Sequence, residues 1–368
     1  MLLFSAACSD KSLDRDILKT FERHSYQAQD PPTITALLRS GGPEALKPLD
    51  RHAAVVKGGL RLREMQGGGL SSGLLLGESG GGLYILKVFR GSTAGAAGLK
   101  EGDRILGVNG RKAASGAASK LIRGAVSFNV KIVRRMPGGQ GVLTAAVKKE
   151  YFRLPLIFGL YDPFTRTAFI KIAIFGKDSG RVAVEGVSAL SRLGAEKVVF
   201  DLRGTAGGLP DEAAALLTAF APEAGPVFEI RSRHKGYSKI FNAPGRGEFA
   251  PLRTAVLVNS GTAMAAEVFA AALKDLNGAV IVGAPTMGEV SLQKTFKVGS
   301  RGNGLRLTVA RFFPPSGKEL EEKGLTPDIK ADLDMSQSET VRSEWSAAAE
   351  TALMTDPALR QALAALKE

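Results

Sequence analysis

The sequence predicts a mixed α+β (α/β) chain: a small helical N-terminal region, a β-rich module, and a larger core in which a β-sheet is flanked by helices. The first indication is a change of period. Apolar residues recur at helical spacing before residue 66, alternate as in strands within 67–150, and after Pro155 gather into short apolar runs separated by helical stretches. The second is glycine: the 44 glycines cluster in short runs, which is the chemistry of turns and loops. The third is length, because 368 residues exceed one typical core and suggest two or three domains.

Within residues 11–66, Leu13, Ile17, Leu18 and Phe21 mark one helical face, and Ile34, Leu37 and Leu38 mark another. Pro31-Pro32 is expected to separate the two segments. Gly67-Gly68-Gly69 opens the β-rich module at 67–150, where Leu74–Leu76 and Leu83–Phe89 read as strands. Small residues after Ala94 suit a short helix, Ile105–Val108 a strand, and Asn109-Gly110 a hairpin turn. Ala117–Ile122 is a further helix candidate, and Asn129–Arg134 and Val142–Val147 alternate like antiparallel strands. From 151 to 334, predicted strands at Ala168–Ile174, Lys197–Arg203, Thr254–Val258 and Ala279–Val282 alternate with helices at Arg181–Leu193, Asp211–Phe220 and Ala265–Lys274. Asp211 is expected to cap its helix. The alternation implies parallel crossovers, with functional loops where the strands end. Residues 335–368 read as a C-terminal helical segment.

Lys and Arg number 49 against 36 Asp and Glu, a net charge of +13, which favours anionic partners such as membrane surfaces or acidic polypeptides. No stripe of interleaved aromatic and basic residues points to nucleic acid. Cys8 is the sole cysteine, so no internal disulfide forms, and neither CxxC nor HExxH spacing occurs. No metal or cofactor is expected. Met1–Ala7 is apolar or small and precedes Cys8, which resembles the end of a lipoprotein signal in residues 1–10 and suggests a bacterial envelope or periplasmic protein, lipid-anchored through Cys8. No later stretch has the roughly 18 apolar residues of a transmembrane helix.

The run AGLKEGDRILGVNG (residues 97–110 at its end) resembles a PDZ domain of the bacterial envelope type. The resemblance implies capture of an extended C-terminal peptide as an added strand, its carboxylate held in a loop of backbone N–H groups. Ser71, Ser72, Gly73 and Leu74 fall on that loop.

Later segments, VVFDLRGTAGGLPDEAAALLTAF, VLVNSGTAMAAEVFAAALKD, VIVGAPTMGEVSLQ, LRLTVARFFPPSGKELEEKGLTPDI and DPALRQALAAL, together resemble the carboxy-terminal processing (tail-specific) serine peptidases. With the PDZ module the resemblance covers about residues 45–368. It implies a serine nucleophile, a lysine base held neutral by burial, an assisting glutamine, and an oxyanion loop of backbone N–H groups. Glu267 anchors the register. Gly207 and Gly208 then match the oxyanion loop and Gln293 the glutamine, but Met264 stands at the nucleophile position and Glu289 at the base position. A thioether cannot lose a proton or form an acyl-enzyme, and a carboxylate at 289 has no alcohol to activate. Because such groups act as a unit, losing both removes essentially the whole nucleophilic contribution.

Two functions follow. The first is a pseudopeptidase that binds C-terminal or unfolded polypeptides through its PDZ domain and disabled cleft, as scaffold, adaptor or regulator of an active peptidase or envelope partner. The second is an active serine/threonine endopeptidase with a relocated nucleophile, drawn from Ser260, Thr262 or Ser291, with Lys294 as an amine. Lys294, next to Gln293 on a predicted strand, is expected to face away from it.

Overall fold

The computed structural model describes residues 11–56, 69–79, 82–88, 91–100, 102–112, 121–122, 124–136, 139–152, 156–299, 303–331 and 356–367. Cys8 lies outside them, as do residues 117–120 of the expected Ala117–Ile122 helix, of which Leu121 and Ile122 are helical.

Two amphipathic helices open the fold, α1 (Lys11–His24) and α2 (Pro31–Gly41). Ile17, Phe21, Ile34 and Leu38 bury their shared face. Pro31-Pro32 does not lie between the helices as expected but begins α2, where a missing N–H costs nothing. Asp30 caps it by accepting from Thr33 N at 2.9 Å. A short strand, β1 (Ala54–Val56), follows.

The β-rich module contains β2 (Gly69–Ser71), β3 (Leu74–Ser79), β4 (Gly82–Val88), the one-turn α3 (Thr93–Ala96), β5 (Arg104–Val108), β6 (Arg111–Lys112), β7 (Ser127–Met136), β8 (Gly139–Lys148) and β9 (Glu150–Phe152). Its antiparallel sheet runs β3-β4-β5-β7-β8, with β6 on β5, and β2 pairs β9 separately. Asn109 and Gly110 take φ 51° and 76°. That is the two-residue hairpin turn their sequence predicts. Leu83, Ile85, Ile105, Val130 and Ile132 fill the core.

The larger core comprises β10 (Ile157–Asp162), β11 (Thr167–Ile172), α4 (Ser179–Arg192), β12 (Lys197–Asp201), α5 (Pro210–Thr218), β13 (Ala224–Arg231), β14 (Lys239–Pro244), β15 (Arg253–Val258), α6 (Ala265–Asn277), β16 (Val280–Gly283), β17 (Ser291–Val298), β18 (Asn303–Phe313), β19 (Ile329–Lys330) and α7 (Pro357–Ala365). The main sheet has the order β10-β11-β12-β15-β16-β19 and is parallel from β11 onward. Both faces are covered, which is why its strands read as unbroken apolar runs. Ile170, Phe200 and Val256 face a core shared with α4, α5 and α6. Phe169, Val199 and Leu257 face α7 through Ala358, Leu359 and Ala362.

Several boundaries differ from the sequence expectation, and three of them have an identifiable cause. Strand β11 stops at Ile172 rather than Ile174, because the chain then turns to bridge Phe175 to Gly208. Strand β12 stops at Asp201 rather than Arg203, because Arg203 folds back onto Asp201 with two hydrogen bonds of 2.9 Å. Arg203 also reaches Asp356, the N-cap of α7, at 2.6 Å, so this buried pair fastens the last helix to the end of β12. Helix α5 is capped by Leu209 with no side-chain bond. Asp211 is its second residue and pairs with Lys239 instead.

A second sheet runs β1-β18-β13-β14, with β17 on β18. Helices α1 and α2 sit on it through Val298, Leu305 and Leu307. Asp50 fixes the segment just before β1: it accepts from Thr308 N at 2.7 Å and from Thr308 Oγ1 at 2.9 Å. This places Arg51 and His52 against the loop that leads into β17.

Candidate functional site

Three loops converge where β12, β15 and β16 end. The loop after β12 carries the two glycines. Gly207 and Gly208 have φ 93° and 133°, which a side chain rarely adopts. A Cβ on Gly208 would stand 2.3 Å from Phe175 O, and one on Gly207 would stand 2.7 Å from Met264 Cβ. Phe175 N donates to Gly207 O at 2.9 Å, and Leu209 N donates to Phe175 O at 2.6 Å. In a parallel bridge of this kind the Gly208 peptide groups point to the other side.

The loop after β15 leads into α6. Asn259 Oδ1 ties the two loops by accepting from Gly204 N at 2.9 Å and from Gly261 N at 3.0 Å. Thr262 Oγ1 is fully buried, accepts from Asn259 N at 3.1 Å and donates to Leu202 O at 2.9 Å. Its hydroxyl is therefore committed to holding the turn. Met264 is the N-cap of α6, half-buried, with φ 53° and ψ −123° and no side-chain cap bond. For a residue with a side chain that conformation costs about 1–3 kcal/mol.

The loop after β16 carries Glu289. Met264 N donates to Glu289 O at 2.7 Å, and Met287 N to Thr262 O at 3.0 Å, so the two loops are interlocked by main-chain bonds. Glu267, wholly buried in the first turn of α6, accepts from Gly288 N at 2.8 Å, from Glu289 N at 2.9 Å and from Thr286 Oγ1. Burial pushes its carboxyl up, and these donors oppose the shift.

The structure thus brings Gly207, Met264, Glu289 and Gln293 to one place. Gln293 lies on strand β17 beside a bulge, and its Nε2 donates to Glu289 Oε1 at 3.0 Å. Lys294 points elsewhere, with Nζ 5.1 Å from the Tyr237 ring centroid. Ser291 is fully buried beside Glu321, whereas Ser260 is exposed on a turn.

Sequence reasoning missed the partners of Glu289. Arg51 Nη2 lies 3.1 Å from Glu289 Oε2 and 2.9 Å from Glu321 Oε1. His52 Nε2 lies 3.0 Å from Glu289 Oε1. Glu321 is buried and accepts from Val290 N at 3.0 Å. Burial alone would raise its carboxyl, but the neighbouring His52 and Ser291, the Val290 N–H and the Arg51 charge bring it down to about 2. Arg51 is more than 230 residues from these carboxylates in sequence, and no local pattern signals such a contact. The base position is thus occupied by an ionic network rather than a solitary amine. Leu209 and Met287, 37% and 51% exposed, flank it with apolar surface.

In the β-rich module, the expected loop Ser71–Leu74 is shorter than its motif. Ser71 ends β2, Leu74 begins β3, and only Ser72 and Gly73 lie between them. Ser72 O accepts from Ala94 N at 3.0 Å, which pins the loop to α3. Gly73 has φ 69°, and its N–H donates to Ser71 Oγ at 3.0 Å. Among the described residues, strand β3 is an edge of its sheet and so presents an unpaired side.

Comparison with known proteins places these features. The model for peptidase family S41 matches residues 166–331, and the PDZ domain model matches residues 57–133. The carboxy-terminal processing protease CtpA of Bacillus subtilis is 29% identical over 259 residues, covering 70% of this chain and 54% of that protein. The chloroplastic carboxyl-terminal-processing peptidase 2 of Arabidopsis thaliana is 30% identical over 278 residues, covering 71% and 52%. The chain spans about half the length of these curated relatives. Among solved structures, a putative S41 protease from Bacteroides fragilis is 17% identical with a TM-score of 0.64, covering 95% of this chain and 96% of that one. The photosystem II D1 C-terminal processing protease is 22% identical with a TM-score of 0.56, covering 89% and 94%. These two likenesses are of fold.

Strain at residue 264 has a direct test. Met264→Gly removes a half-buried side chain but relieves the backbone, whereas Met264→Ala removes the side chain and keeps the strain. In urea denaturation the glycine variant is expected to be the more stable of the two by about 1–3 kcal/mol. A glycine variant no more stable than the alanine variant contradicts the strained assignment.

Proposed function

The chain is a PDZ-bearing member of peptidase family S41, and from that premise we propose that it is a pseudopeptidase: a protein of the bacterial cell envelope that binds extended or C-terminal peptides without cutting them. The observation that carries this reading is the pair Met264 and Glu289, held by the main-chain bond between them at the two positions where the family places its serine and lysine. A nucleophile is missing at the first. At the second a carboxylate is held by Arg51, His52 and Gln293, and no alcohol stands at residue 264 for it to activate. The remaining Gly207-Gly208 loop supplies little catalysis by itself.

What remains suits binding. Leu209 follows the glycine loop and is partly exposed, Met264 stands against Gly207, and Met287 is exposed on the loop bonded to Thr262. The β3 edge and the Ser72-Gly73 turn offer the strand-addition mode of a PDZ domain. Holding peptides at both places fits a scaffold, an adaptor or a regulator of an active peptidase. The relocated-nucleophile alternative draws less support. Thr262 is buried and bonded on both sides, and Lys294 lies over Tyr237.

Cleavage of an unfolded protein by the purified chain tests this reading. The wild type and Met264→Ser are expected to show none above background, because Glu289 cannot replace the amine. Met264→Ser with Glu289→Lys is expected to gain measurable turnover, since Arg51 beside the new amine favours its neutral form. Turnover by the wild type overturns the proposal.

Peptide binding gives a second outcome. In the free protein Ser71 Oγ occupies the Gly73 N–H that a terminal carboxylate needs. Ser71→Ala is therefore expected to tighten binding of a peptide with a free apolar C-terminus several-fold by fluorescence anisotropy, with no gain for its amidated counterpart. A loss of affinity contradicts the carboxylate-loop assignment.

A further inference from the structure

The basic excess of this chain is concentrated in one module. Residues 67–150 hold thirteen Lys and Arg against four Asp and Glu, a net +9 of the total +13. One of those four acids, Asp103, is fully buried and bonded to Arg134 Nε at 2.7 Å, so it offers no charge to the surface.

Part of this charge is gathered in one place. On the outer face of the PDZ sheet, a depression of about 660 Å³ is lined by Arg104 on β5, Arg111 and Lys112 on β6, and Lys131 on β7, with Asn129 and Thr144 between them. All four cations are exposed, while the alternate residues Ile105, Val130 and Ile132 point into the core. No carboxylate among the described residues lies within ion-pair distance of any of them. The β5–β6 turn holds Arg111 and Lys112 close: a Cβ on Gly107 would stand 2.8 Å from Arg111 O. Val142, on β8 two residues from Thr144 and so on the same face of the sheet, is 56% exposed.

We propose that this face is a binding site for an anionic membrane surface, formed by Arg104, Arg111, Lys112 and Lys131 around headgroup phosphates with Val142 at the rim. It lies on the face of the sheet and not at an edge. The main-chain groups of β5 and β7 there are spent on the ladder, so the surface offers no register for an extended peptide. It offers delocalised charge with a small apolar contribution, which is what a headgroup layer accepts. The β3 edge remains a separate place for peptide, so the module can hold a client and a membrane together.

Vesicle co-sedimentation of the full chain tests the site. The protein is expected to sediment with phosphatidylcholine vesicles containing phosphatidylglycerol, not with phosphatidylcholine alone, and to be released by salt. Each cation removed is expected to weaken binding roughly five-fold, so Arg111→Gln with Lys112→Gln should lose about 25-fold. Lys318→Gln with Lys367→Gln, exposed residues outside this face, removes the same charge and is expected to leave binding nearly unchanged. Equal losses in the two pairs would mean that net charge alone is responsible and overturn the site. Unaltered binding by the hairpin pair also overturns it. So does a protein that ignores the vesicles but binds polyglutamate, which would assign the face to acidic polypeptide.

Discussion

The cleft depends on a carboxylate with no chemistry of its own. Glu267 sits wholly buried in the first turn of α6 and takes donors from the loop that carries Glu289, two of them backbone N–H groups at 2.8 and 2.9 Å. A carboxylate removed from water is costly unless its lone pairs are filled. Here that requirement works as a constraint: the loop is positioned by what Glu267 needs. With the Met264–Glu289 main-chain bond added, residues 264 and 289 are adjacent whatever side chains they carry. The two positions that the family resemblance assigns to a nucleophile and a base are thus neighbours here, with a thioether and a carboxylate on them.

This separation of scaffold from chemistry explains the strained N-cap. Glycine would occupy φ 53° and ψ −123° without penalty, yet a methionine stands there, its Cβ against Gly207. The backbone path is fixed by Asn259, Thr262 and the Glu267 clamp, all main-chain and buried-polar contacts. At the other position, Arg51 and His52 arrive from the N-terminal region on a segment held by Asp50 and β1. They hold a carboxylate where the family resemblance implies a lysine. The small N-terminal region therefore completes the cleft as well as covering the second sheet.

Much of the fold was legible because its signals are local. Unbroken apolar runs at β11, β12 and β15 report a sheet buried on both faces, and Asn109-Gly110 reports a two-residue hairpin. The positions of Gly207, Met264, Glu289 and Gln293 were legible through motif register, since sequence spacing survives changes of side chain. Strand ends were less so. Strand β12 stops at 201 because Arg203 folds back onto Asp201 while also pairing with Asp356 far along the chain. Asp211 looked like a cap because Asp before an apolar run usually is one, but Pro210 had already begun the helix one residue earlier. The network of Arg51, His52 and Glu321 around Glu289 was illegible, because long-range pairing of charges leaves no periodic trace. The basic face of the PDZ module was half-visible: composition gives the charge, and only the alternation of β5 and β7 shows that it is on one side.

The proposed function requires that no side chain in this cleft can be acylated. Intact-mass analysis after incubation with a serine-reactive fluorophosphonate tests it most directly, in wild type and in the Met264→Ser Glu289→Lys variant. The account predicts an unchanged mass for the wild type and a single adduct at residue 264 in the variant. A wild-type adduct mapped to Thr262 or Ser291 would contradict it and identify a nucleophile that the burial of both residues, and the hydrogen bond of Thr262 to Leu202 O, argue against.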